Sequence, residues 1–217
     1  MLYRFVFLIA LLAAALATRP AHAHPHVWVT IVEELLYGPD GSVTGVRHIW
    51  TFDDMFSAFA IQGIEGKTKG TWTREELEPL AKVNVESLKE YAYFTYAKAD
   101  GKRQKDAFLE PIDYFLEYDP KETTLTLHFT LPFKTPVKAK TLDIEVYDPD
   151  FFIDFALAEK RPVKLVSAPA QCALSVERPH DENFASSAMR LDKNFMTSEA
   201  NKGTGANFSN RISVKCP

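Results

Sequence analysis

The chain has 217 residues, a formal net charge of −4 and 46% hydrophobic residues, enough to bury the core of one large or two small domains. Its acidic balance argues against nucleic acid as a partner. Its two cysteines, with no CxxC spacing, argue against a closed thiolate metal cage.

The first residues carry the marks of an export signal. Arg4 sits in a short basic start, and residues 5–17 form an apolar run. At about a dozen residues, that run falls short of the roughly 20 a spanning helix needs. Ala21 and Ala23 supply the small-x-small pattern of a cleavage site. The reading is a cleaved signal peptide over residues 1–23 and a soluble periplasmic protein whose first residue is His24. A second cut after Ala15-Leu16-Ala17 would put Thr18 first instead. Removal of residues 1–23 takes away Arg4 and Arg19 and no acid, so the mature chain is the more acidic form.

Val27 to Tyr37 and Val43 to Phe52 are rich in β-branched and aromatic residues. Gly38-Pro39-Asp40-Gly41-Ser42 between them is a strong turn signal, so the pair reads as a β-hairpin. Asp53 stands where a helix N-cap would stand. After it Met55, Phe56, Phe59, Ala60 and Ile64 recur at helical spacing. Thr73-Arg74-Glu75-Glu76 is a capping-box pattern, and Leu77, Leu80, Ala81, Val85, Leu88 and Tyr91 mark a second helical stripe containing Pro79.

From Tyr93 onward the pattern changes to strands, at residues 94–98, 108–110, 114–118, 124–131, 141–147, 151–157 and 163–166. Asp-Gly and Asp-Pro turns separate several of them. The fold class expected is α+β, predominantly antiparallel β: an N-terminal hairpin, two helices, then a multi-strand region. Residues 24–178 form the main domain in this reading. Residues 179–217 are a polar insertion, with a short helix expected over 184–191, followed by a C-terminal strand tied back by a disulfide. An even cysteine count in an exported chain, with strand-like flanks on both sides, pairs Cys172 with Cys216. Closing that 44-residue separation stabilises the fold by about 3–4 kcal/mol in the chain-entropy model.

The chemistry concentrates at His24-Pro25-His26. Two residues apart on an extended strand, the histidines face one side. At a new N-terminus His24 brings its α-amine and its ring, and His26 a third nitrogen. Such donors suit zinc, nickel or cobalt, with copper left open, and not calcium or magnesium. Pro25 has no amide hydrogen, which rules out the terminal chelate built on deprotonated backbone amides. Further ligands must therefore come from the fold.

The hairpin brings His26 toward Asp53, which reads equally as an ordinary helix cap. His48, in the second strand, is a reserve nitrogen ligand whose face depends on the register. Asp148-Pro149-Asp150, with Asp154 nearby, reads first as turn chemistry. His128 reads as a packed strand histidine, His22 leaves with the signal, and His180 lies in the polar insertion. No nucleophile elbow, phosphate loop or His-Glu-x-x-His occurs, so no enzyme is indicated. A hydrolase using zinc-bound water stays as an alternative.

Several stretches together resemble a family of uncharacterised bacterial periplasmic proteins, a domain-of-unknown-function family labelled "ABC-type transport system, periplasmic component". They are His24-Pro25-His26-Val27-Trp28-Val29, Trp50-Thr51-Phe52-Asp53-Asp54-Met55-Phe56-Ser57, Ser87-Leu88-Lys89-Glu90-Tyr91, Leu131-Pro132, and Tyr147-Asp148-Pro149-Asp150-Phe151-Phe152. The two cysteines also fit. Through its association with nickel/cobalt and zinc transport loci, the resemblance implies a periplasmic accessory protein partnered with a membrane metal transporter. It raises Asp53 and Asp148 as ligand candidates beside His24 and His26. A module that docks a transporter without metal remains the rival. A two-lobed clamshell binding protein does not suit this order of elements.

Overall fold

The computed structural model describes residues 26–179 and 204–217. His24, Pro25, the signal region, His180 and the helix expected over 184–191 lie outside them. The described part is mostly strand, with two α-helices.

The hairpin of β1 (Val27–Tyr37) and β2 (Val43–Phe52) is the spine of the fold. Along β1 the odd-numbered residues Val27, Val29, Ile31, Glu33 and Leu35 are buried while Trp28 and Thr30 face outward. Alternation of this kind fixes the register, because a one-residue slip would turn the whole apolar set to water. The register sets Val29 opposite Phe52 and Glu33 opposite His48.

Two helices follow. The first, α1 (Asp54–Ala60), stops four residues earlier than its apolar spacing suggests. The second, α2 (Arg74–Leu88), begins with the expected capping box between Thr73 and Glu76 and runs through Pro79. It gives way to a 3₁₀ segment, Lys89–Phe94, in which Ala92, Tyr93 and Phe94 all have φ near +50°. This leaves Tyr91 outside the helical stripe.

The remaining strands are β3 (Thr95–Ala99), β4 (Lys102–Gln104), β5 (Ile112–Asp119), β6 (Thr124–Val137), β7 (Thr141–Val146), β8 (Ile153–Leu157), β9 (Val163–Val166), β10 (Ala173–Glu177) and β11 (Asn210–Lys215). One sheet has the order β5-β6-β2-β1-β8, with β9 also paired to β1; the other runs β10-β11-β7-β3-β4. The expected strand over 108–110 is reduced to an isolated bridge between Phe108 and Phe133.

The pairing is predominantly antiparallel as expected, with one exception. Both β8 and β9 pair with β1 in parallel, so the first sheet is mixed. The cause is topological: the chain crosses to the second sheet at β7 before returning beside β1, and a crossover rather than a tight turn makes a parallel neighbour.

The two sheets share one hydrophobic cluster. The buried side chain of Asn210 on β11 ties them together, donating to the Phe155 carbonyl and accepting from the Leu157 amide of β8. Cys172 and Cys216 form the expected disulfide at the ends of the paired β10 and β11. Strand β11 lies within its sheet, between β10 and β7.

Candidate functional site

His26 stands at the point where β1 enters the first sheet. Its amide donates to the Phe152 carbonyl at 2.8 Å, and its exposed ring stacks on the Phe152 ring, centroids 4.6 Å apart and planes 9° from parallel. The side chain is therefore oriented, although it faces solvent.

Two aspartates clamp the chain on either side. Asp53 caps α1, its Oδ1 accepting from the Phe56 amide at 2.8 Å. Its Oδ2 accepts from the Trp28 amide at 2.9 Å, and its own amide returns a bond to the Trp28 carbonyl. This one side chain holds the helix start and the open end of the hairpin, two residues from His26. Asp148 does the same for the loop before β8. Buried, it accepts from the amides of Asp150 (2.9 Å), Phe152 (2.9 Å) and Ile153 (3.0 Å). Gly205 fits beneath this loop because a Cβ there would lie 1.8 Å from the Asp148 carbonyl oxygen.

The fold thus brings Asp53 and Asp148 to the two sides of His26, but all four of their carboxylate oxygens are engaged by backbone amides. Both have the capping or turn role that the residues themselves suggest.

His48 is not brought to this place. It has the parity of Val46, Trp50 and Phe52 and is fully buried, whereas His26 shares the outward parity of Trp28. Its Nδ1 lies 2.6 Å from Glu33 Oε2, its ring stacks on Phe129, and Glu33 Oε1 accepts from the Trp50 indole at 3.1 Å. The pair is withdrawn from water in the core, and the His48 Nε2 has no hydrogen-bond partner among the described residues, so His48 belongs to the core and not to the His26 corner. His128 likewise packs on Phe115 and faces Glu117. Ser57 is buried and accepts the Leu125 amide at 2.8 Å, a structural use of its hydroxyl.

Asp154, in sequence no more than a neighbour of the Asp148-Pro149-Asp150 turn, gains its importance from the fold. On β8 it sits directly beside Trp28 in the parallel register, and it alternates with the buried Phe155 and Leu157. It therefore points to the outer face, as His26 does. The half-buried Asp154 carboxylate makes no hydrogen bond or ion pair among the described residues, and burial pushes its pKa above the ordinary 3.8. Among those residues no group of three or more His, Cys, Asp or Glu side chains is gathered to hold a metal. His26 and Asp154 share only the outward parity of neighbouring strands.

Inside the same end of the fold, behind β1, lies a cavity of about 440 Å³. Trp50, Phe52, Phe56, Phe94 and Phe155 line its body, and Tyr91, Phe152 and Asp150 its mouth. The left-handed Ala92–Phe94 turn, which costs about 1–2 kcal/mol per residue for side chains of this kind, stacks Tyr91 against Phe94 at 5.2 Å.

Among the described residues no helix is long and apolar enough to cross a membrane. A sequence model of the family described as "Protein of unknown function (DUF1007)" matches residues 9–216. No curated protein matches the chain.

Proposed function

The chain belongs to the DUF1007 family of proteins of unknown function, and we propose that it is an extracytoplasmic accessory protein that binds a transition-metal ion for a membrane metal transporter. Two observations support it: the exposed His26 ring, held by stacking on Phe152, and the Asp154 carboxylate, which stands beside Trp28 on the neighbouring strand without a partner among the described residues. His24 completes the donor set with its amine and ring. Asp53 and Asp148 act as positioning residues that fix the two strand ends.

A nitrogen-rich set with one carboxylate suits zinc, nickel or cobalt and exchanges its ion more readily than a thiolate cage. The disulfide between Cys172 and Cys216 agrees with an oxidising compartment, and the apolar leader of the sequence with export.

Calorimetric titration of the exported protein with nickel or zinc tests this reading. It predicts saturable binding near one equivalent, lost in a His24→Ala/His26→Ala variant and weakened at least about tenfold by Asp154→Asn. Because a desolvated carboxylate without a partner costs stability, Asp154→Asn should also raise the thermal midpoint of the metal-free protein. Binding that is no tighter in the parent than in the double-alanine variant would sink the proposal.

A further inference from the structure

The cavity behind β1 is a second candidate site, and neither His26 nor Asp154 lines it. We propose that it binds a small amphiphilic amine, its apolar body among the aromatic rings and its cationic head at Asp150.

Three observations converge on this ligand chemistry. The cavity, about 440 Å³, is of the size that holds small organic ligands. Its walls are Trp50, Phe52, Phe56, Phe94 and Phe155, with Leu127 behind them, so the body of any occupant must be apolar. The polar groups that reach it are Asn84, Ser87 and the two carboxylates Asp148 and Asp150; among the described residues no lysine or arginine lines it.

Charge then selects the head group. Asp148 is occupied by three backbone amides, which leaves Asp150 as the carboxylate offered to a ligand. Asp150 is exposed and pairs with no cation among the described residues. Tyr91, about half exposed at the mouth, adds an electron-rich ring that attracts an ammonium group. An anionic amphiphile such as a fatty acid would meet like charge there. The left-handed turn at Ala92–Phe94 places Tyr91 and Phe94 on the wall, where conformational strain often marks a binding site.

Fluorescence titration of the exported protein with N-phenyl-1-naphthylamine, displaced by dodecylamine or by dodecanoate at neutral pH and low salt, tests the proposal. The expected result is saturable probe binding, with dodecylamine displacing at a concentration at least about threefold lower than dodecanoate, the scale of an exposed charge pair. Asp150→Asn should remove that preference while leaving probe affinity in place. Ser87→Trp, at an exposed helix position on the wall, should fill the cavity and abolish probe binding with the thermal midpoint preserved. Absence of saturable probe binding, a preference for dodecanoate, or unchanged binding in a folded Ser87→Trp protein would each overturn it. So would a preference for amine that survives Asp150→Asn.

Discussion

At the scale of single residues, the histidines divide by what surrounds them. His26 faces water, His48 is locked against Glu33 in the core, and His128 lies between these extremes. Burial holds the His128 pKa below 6.5, against the opposing pull of Glu117. The unfolded chain therefore takes up this proton first. The stability His128 contributes is complete above about pH 6.5 and is lost as the pH falls from there toward the lower folded value. His128→Gln should accordingly flatten the fall in thermal midpoint between pH 7 and 5, read against the parent protein in the same buffers. An unchanged slope would mean that desolvation of His128 is offset elsewhere. The inward face of His48 is not settled by the sequence, because Ile49 interrupts the alternation and the face depends on the register, which the structure supplies. The place of Asp154 is not legible there either, because its value as a partner arises only from a parallel pairing with a strand more than a hundred positions earlier.

At the scale of elements, local signals transfer well and distant ones do not. Thr73-Arg74-Glu75-Glu76 announces a helix start, and the structure has the reciprocal capping box. Asp53 announces another, and its two oxygens do more than cap, since Oδ2 also closes the hairpin through the Trp28 amide. Asp53→Ala should therefore cost about 1–3 kcal/mol in urea unfolding, a lost cap plus an orphaned strand amide, whereas Asp53→Asn should cost less. A loss below about 0.5 kcal/mol for the alanine variant would remove its positioning role. The turn after α2 has no readable signal: Ala92, Tyr93 and Phe94 are residues that rarely adopt positive φ, and only tertiary packing holds them there. Nor does the Asp148-Pro149 turn reveal that β8 returns parallel to β1.

At the scale of the whole molecule, one end of the first sheet carries both candidate sites, which meet at Phe152, stacked on His26 and lining the cavity. The outer face presents His26 and Asp154; the inner face opens the aromatic cavity toward Asp150. Asp53 and Asp148 fix the strand ends between them, which gives an acidic, well-tied corner to an otherwise ordinary two-sheet core. The His24-Pro25-His26 motif points to this corner from the sequence, and the hairpin register explains why. Its remaining partner comes from topology. The most direct test is a zinc titration of the ¹⁵N-labelled exported protein, followed through its assigned histidine ring resonances. The His26 ring is expected to shift saturably at about one equivalent, while the rings of His48 and His128 stay in place. A stationary His26, or zinc-induced shifts confined to His48 or His128, would contradict metal binding at His26.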